Sequence, residues 1–312
     1  MIAIRTILAG VELHRRRSQV PEGSRNAVAQ AAWLAREVDA ELVILHSTWR
    51  DGDDDLVSAR PDPETRLTAE NRATLEELLA ETEQGGTRAR LALTPRRPWM
   101  AMTFAALRRE ADLIVVGKRD EPTSEGRRLG SVAAKLLRKC PAPVWVVKPE
   151  HDLGHRLVLA ATDLTVVGDR AVVWGAFVAD RHGSELHVVH AYQVPMSLQL
   201  AASRMAEEEY AAEVDAIRSK AQAHVDEVIS ASDFDGESAV HLGKSSPALA
   251  IREAVEHLHP DLLVMGTVSR GGIAGFLVGN TAERLLDRVD CSILAVKPDD
   301  FVCPVELPAQ ED

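Results

Sequence analysis

Short, continuously apolar runs rich in Val, Ile and Leu recur along the chain at residues 5–11, 41–47, 88–94, 112–117 and 143–148, and again at 156–162, 185–191, 237–243, 261–266 and 292–297. Stretches of helical period separate them, at 24–38, 65–82, 98–110 and 131–139 in the first half and at 168–182, 201–230, 246–258 and 280–288 in the second. A strand with one wet face alternates apolar and polar residues. These runs do not alternate, so both of their faces must be covered, as in parallel sheets flanked by helices. The right-handed crossover rule leaves few topologies for such units. The pattern predicts an α/β protein of two tandem Rossmann-like, doubly wound, five-stranded parallel sheets.

The two halves are copies of one plan. Within 111–150 and 260–300, Asp112, Gly117, Gly130, Leu136, Val147, Lys148 and Pro149 match Asp261, Gly266, Gly279, Leu285, Val296, Lys297 and Pro298. "RTILAGVEL" at 5–13 likewise parallels "RLVLAATDL" at 156–164. A repeat this long is a duplicated domain rather than a solenoid unit, and the boundaries read as 1–150 and 151–312. The acidic stretch at 50–64, with Asp53, Asp54 and Asp55 contiguous, reads as a loop, because neighbouring carboxylates converge poorly on one ion. Its counterpart at 192–200, with Met196 and Leu198, is apolar enough to fold over something.

Composition removes several classes of function. A net charge of −12 and no extended basic stripe argue against a nucleic-acid partner, and the cluster His14, Arg15, Arg16, Arg17 reads as solvent-facing charge at a strand end. No run approaches the length of a membrane span, and the amino terminus moves straight into a strand. Three scattered cysteines, Cys140, Cys291 and Cys303, lack metal-ligand spacing and suit a reducing compartment. The expected location is the cytoplasm. Cys140 and Cys291 read as small packing residues.

The candidate chemistry lies in "GTVSRGGIAGFLVGNTAERLL" at 266–286, directly after the apolar run "DLLVM" that ends at Met265. In open α/β sheets ligands bind beyond the carboxyl ends of the strands, where strand order reverses. A helix opening at Gly279, Asn280 and Thr281 would offer unpaired N–H groups and the positive end of its dipole to an anion. Gly266, Ser269, Gly271, Gly272 and Gly275 would let a triphosphate lie against the backbone, and Arg270 stands ready to meet a phosphate. A plain tight connection is the competing reading. The stretch is not a Walker loop, and "GKSSP" at 243–247 reads as a helix start capped by Ser245 and Ser246 before Pro247.

The block "DLLVMGTVSRGG…GNTAERLL…SILAVKP", the strand ends "VEL" and "TDL" and the duplicated layout resemble the universal stress protein family, in its tandem two-domain form. The ATP-binding branch of that family carries Gly, two residues, Gly, nine residues, then Gly with Ser or Thr. Here Ser269 stands for the second glycine and Asn280 follows Gly279. Ser269 keeps a donor and Asn280 keeps a capping side chain, so a phosphate site survives on physical grounds. The resemblance implies that Asp163 is the first-strand acid at the adenine or ribose end, with Thr162 and Ala191 beside it. It also implies ATP, with a divalent ion such as Mg supplied by the nucleotide. The halves would pair through their fifth strands, "PVWVVK" and "SILAVK", into an internal pseudo-dimer able to dimerise further, acting on an unidentified protein partner.

The first half departs further from the pattern. Asp120, Glu121 and Glu125 fall where a triphosphate would lie, partly offset by Lys118, Arg119, Arg127 and Arg128, and its acid is Glu12. It is expected to bind nucleotide weakly or not at all. No catalytic motif is visible: His46 and His190 occupy equivalent strand ends without a nucleophile at a fixed offset, and His257 and His259 have the wrong spacing for one ion on a helix. The expected function is a non-enzymatic stress regulator binding an adenine nucleotide in its second half. A nucleotide-independent scaffold is the alternative, and an adenine-nucleotide hydrolase the third reading.

Overall fold

The computed structural model describes residues 2–14, 18–50, 53, 62–118, 122–123, 126–127, 129–149, 155–267, 285 and 289–307. The first half runs β1 (Thr6–Val11), α1 (Glu22–Glu37), β2 (Glu41–Ser47), α2 (Ala69–Gln84), β3 (Ala89–Thr94), α3 (Pro98–Leu107), β4 (Leu113–Gly117), a small ribbon of β5 (Pro122–Thr123) and β6 (Gly126–Arg127), α4 (Ser131–Lys139) and β7 (Val144–Val147). The second runs β8 (Leu157–Thr162), α5 (Val166–His182), β9 (Glu185–Ala191), α6 (Met196–Ala201), α7 (Glu207–Ser230), β10 (Ser238–Gly243), α8 (Pro247–Leu258), β11 (Leu262–Gly266) and β12 (Ser292–Val296). Every expected strand is present. The helix expected at 280–288 lies outside the described residues apart from Leu285.

Two helix readings are corrected. The stretch at 65–82 opens as a 3-10 turn, Pro63–Arg66, and becomes α-helical at Ala69, after Thr68 caps it by accepting from Asn71 N–H. The stretch at 201–230 is broken: α6, which begins after Pro195, ends at Ala201, a 3-10 turn covers Ala202–Arg204, and α7 begins only at Glu207, whose acidic first turn suits the positive end of the helix. At "GKSSP", Ser246 is the N-cap residue of α8 and Pro247 its first residue, but the Ser246 side chain accepts no capping hydrogen bond.

Each half is a parallel sheet, in the orders β3-β2-β1-β4-β7 and β10-β9-β8-β11-β12. Strand order therefore reverses between β1 and β4, and again between β8 and β11. The fifth strands pair antiparallel, Val144 with Ala295, Trp145 with Leu294 and Val146 with Ile293, which fuses the halves into one ten-stranded sheet. Both edges in question are thereby paired. The core follows the same plan: each sheet face carries one apolar layer that runs through both halves, with Leu34, Trp145, Val158 and Leu186 on one side and Leu136, Val146, Leu263 and Ile293 on the other.

The repeated aspartates fasten the far edge of each sheet. Asp112 Oδ2 accepts from the N–H groups of Arg5 (2.8 Å) and Thr6 (3.0 Å), and Asp261 Oδ2 from those of Arg156 (2.7 Å) and Leu157 (3.2 Å). Each carboxylate ties the start of a fourth strand to the start of a first. At the opposite edge the repeated glycines let helices approach. A Cβ on Gly117 would lie 2.3 Å from the Gly23 carbonyl oxygen at the start of α1, whereas one on Gly266 would meet a Val167 methyl at 2.7 Å. Main chain yields less readily than the end of a side chain. Gly117→Ala is expected to destabilise the protein by about 3 kcal/mol and Gly266→Ala by about 1 kcal/mol, read from denaturant unfolding of the two variants side by side.

Candidate functional site

The strand-order reversal in the second half sets the rim of the site. β8 ends at Thr162 beside β9, Thr162 opposite His190, and on its other side lies β11, with Ala161 opposite Met265. The chain then leaves β8 through a tight turn. Thr162 Oγ1 accepts from Leu164 N–H at 3.0 Å, and Asp163 Oδ1 accepts from Thr165 N–H at 3.2 Å and from the Thr165 hydroxyl. These bonds hold Leu164 at a φ of 57°, a left-handed conformation that is costly for a branched side chain. Thr165 in turn caps α5, accepting from Gly168 N–H.

Gly168 makes this arrangement sterically possible. A Cβ there would lie 2.5 Å from Thr162 Oγ1 and 2.8 Å from Asp163 N and Oδ1. Sequence reasoning passed over this residue. The available signal was an isolated glycine in the first turn of a helical stretch, which commonly has a packing reason.

The other expected site residues divide clearly. Thr162 is buried and Asp163 and Ala191 are half-buried at the strand ends. Met265 is buried, its side chain packed in the apolar layer with Ile293. Gly266 lies against Val167, so one reason for that glycine is the approach of α5. Thr267 follows, 1% exposed, with its N–H on the Val296 carbonyl at 3.2 Å and its hydroxyl without a hydrogen-bond partner among the described residues. Ser269, Arg270, Gly279, Asn280 and Thr281 lie outside the described residues.

The first half keeps the frame without the turn. Residues 12–21 intervene between β1 and α1, where only 163–165 separate β8 from α5. Glu12 is exposed, and its N–H donates to Ser24 Oγ at 3.2 Å. Lys118 requires a correction. It does not sit as a counter-charge for a phosphate over the first loop. It is 3% exposed, and its Nζ donates at 2.6 Å to the carbonyl of Val289 in the other half. Burial favours an ammonium that meets a carbonyl, and the one it meets belongs to the second half.

His46 and His190 serve the backbone. Each Nδ1 meets the carbonyl at the end of the neighbouring first strand, Val11 at 3.1 Å and Thr162 at 3.0 Å, and since a carbonyl only accepts, Nδ1 carries the proton. Cys140 and Cys291 are fully enclosed, and burial pushes each thiol up to about 12, which keeps both protonated and inert as packing residues. Asp53 is paired with Arg66, whose hydrogen bonds hold its carboxyl down at about 2. Among the described residues no three side chains of metal-ligating type converge on one point, and no helix is long and apolar enough to cross a membrane.

The family model described as the universal stress protein family matches residues 5–148 and again 155–297. The chain belongs to the universal stress protein family. It is of the tandem type, and it resembles universal stress protein E of Escherichia coli K12, 33% identical over 188 residues that make up 57% of this chain and 58% of that protein. Universal stress protein E of Salmonella typhi is 32% identical over 186 residues, with the same coverage. The match thus spans about 58% of the length of these curated relatives. Among solved structures, a putative universal stress protein from Pseudomonas aeruginosa UCBPP-PA14 aligns with a TM-score of 0.67 at 22% identity, over 96% of this chain and 95% of that one. A functionally unknown protein from P. aeruginosa PAO1 aligns at 0.66 and 23% identity, over 96% and 94%. Both likenesses concern the fold.

The pH response of the strand-end histidine follows from its burial, which lowers the His46 pKa below its ordinary 6.5 against the opposing pull of the Val11 carbonyl and Glu12. Below 6.5 the unfolded chain binds the proton that the folded ring refuses. The His46 contribution to stability is therefore full above 6.5 and drains away as pH falls through the folded value. Denaturant midpoints measured from pH 8 to pH 5 should fall less steeply for His46→Gln than for the parent protein.

Proposed function

We propose that this chain is a stress-response regulator whose second half binds an adenine nucleotide, ATP with its divalent ion, and that it acts by binding rather than turnover. The observation that carries the reading is the juxtaposition at the β8/β11 reversal. The Thr162–Asp163 turn and the Met265–Gly266 root of the glycine-rich connection lie on adjacent strands in register, where an open α/β sheet receives ligands. The described residues suit the sugar and base of a nucleotide. Asp163 offers an acceptor to ribose hydroxyls, and the small Ala161, Ala191 and Gly266 keep the strand ends low beside it. The phosphates would lie on the turn at Gly279, Asn280 and Thr281, with Ser269 and Arg270 along the approach. When bound, the divalent ion would screen the phosphate charge.

The three cysteines are free thiols, which suits a role in the reducing cytoplasm. Regulation would pass to an unidentified protein partner, with the chain alone or as a homodimer. A nucleotide-independent scaffold is the second reading. It is favoured by the serine and asparagine at 269 and 280, and by the engagement of Thr162 and Asp163 in their own turn.

The test is to denature protein purified without added nucleotide and look for adenine absorbance and mass, then to titrate ATP calorimetrically. Gly279→Asp should abolish binding, because a carboxylate would face the phosphates, and Asp163→Ala should weaken it about tenfold. Equal uptake by the parent and Gly279→Asp would show the phosphate turn to be misplaced, and no uptake by the parent would leave the scaffold reading. Product formation under saturating ATP should stay at the buffer rate.

A further inference from the structure

The second half departs from the first on the face of the sheet that α8 covers. Strands β9 and β10 keep the register of β2 and β3: His187 stands opposite Ala239 where Val43 stands opposite Arg90, and His241 opposite Val189 where Ala92 stands opposite Leu45. Val43 lies within the apolar layer of that face and Ala92 packs against it. The second half fills the same two places with imidazoles, which bury less favourably than the valine and alanine they match.

The two rings meet. His187 Nδ1 lies 3.0 Å from His241 Nε2, with ring centroids 4.9 Å apart. The other nitrogen of His187, Nε2, faces Glu185 Oε2 at 3.3 Å. A carboxylate only accepts, so Nε2 carries the proton of the neutral ring and Nδ1 turns a bare lone pair toward His241. In the first half the matching Glu41 is engaged by Arg90 Nε at 2.9 Å, and the second half has Ala239 in the place of that arginine. Glu185 is thereby left to orient a histidine.

A carboxylate behind one ring nitrogen and a lone pair presented by the other is the arrangement that orients a histidine on a metal. Two imidazole nitrogens, each about 2.0 Å from a zinc ion and at the tetrahedral angle, stand about 3.3 Å apart. The observed 3.0 Å is a small ring rotation away from that bite. The two residues are 54 apart in the chain, so only the folded sheet brings them together. β10 is the outer strand of the sheet, and the His187 side chain is 14% exposed, which leaves a path from solvent.

We propose that His187 and His241 form a bidentate site for a divalent transition metal that favours imidazole, zinc or copper, with Glu185 holding His187 in its ligating tautomer. Among the described residues no third side chain of ligating type joins them, so water completes the coordination. The proton that His241 Nε2 shares with His187 in the metal-free protein passes through solvent to His241 Nδ1, and both rings bind neutral. The site lies away from the β8/β11 reversal and is independent of the nucleotide reading.

The test uses the full chain, freed of metal by chelation, titrated calorimetrically with Zn(II) and melted with and without it. His187→Val and His241→Ala install the residues that the first half carries at the same places. Each should lose one equivalent of zinc, together with the rise in melting temperature that zinc gives the parent, and Glu185→Gln should weaken binding about tenfold. A parent that takes up no zinc, or histidine variants that bind as many equivalents as tightly as the parent, would overturn the proposal. Glu185→Gln binding like the parent would strike out the orienting role of the carboxylate. Electron paramagnetic resonance of one equivalent of Cu(II) on the parent is the second arm, and it decides the matter if a variant fails to fold. Coupling to two imidazole nitrogens is expected, and coupling to one or none refutes the site.

Discussion

The antiparallel pairing of β7 with β12 is the contact on which the rest of the molecule depends. Each half alone would end in an open strand of Val, Ile and Trp whose backbone groups face no partner, a template for association with other chains. Pairing these strands with each other satisfies both edges at once. It also brings Trp145, fully enclosed, into register with Leu294 at the centre of the ten-stranded sheet. Because both apolar layers run unbroken through the junction, the two halves share a core instead of meeting at a polar seam.

Such a junction can hide charge only if every charge finds a partner. Lys118 and Lys297 each reach a carbonyl of the opposite half, and Lys148 reaches the Asp290 carbonyl at 3.1 Å. Burial lowers the Lys297 pKa to about 8 against the opposing influence of Cys140 and Cys303, which leaves the ammonium protonated at neutral pH. On one face of the sheet a second set of contacts crosses the same boundary: Trp33 of α1 stacks on His182 of α5 with ring centroids 3.5 Å apart, and Gln30 Nε2 lies 3.4 Å from His182 Nε2. The domains are tied by their least apolar residues as well as by their strands.

The halves diverged in the connection after the first strand. In the second half Thr162, Asp163, Thr165 and Gly168 form one hydrogen-bonded turn that starts α5 almost at once. The first half replaces it with a longer passage past Glu12, and it uses a glycine, Gly117, to bring α1 down on β4. Among the described residues this acid turn is built in the second half. Gly117 and Gly266 serve helix packing, and a motif count alone cannot separate that demand from the demand of a ligand.

The periodicity of the chain by itself determined the strands, their parallel arrangement within each half and the duplication, because buried parallel strands leave an apolar signature that needs no tertiary information. It also placed Asp163 and Gly266 at the carboxyl ends of their strands. Only the tertiary structure decided which way Lys118 points, why Gly168 is a glycine, where the repeated aspartates Asp112 and Asp261 are bound, and that His46 and His190 hold main-chain carbonyls. These depend on distances between residues far apart in the chain. A lysine beside a glycine-bearing connection reads as a phosphate partner until the opposite half supplies a carbonyl and takes the water away.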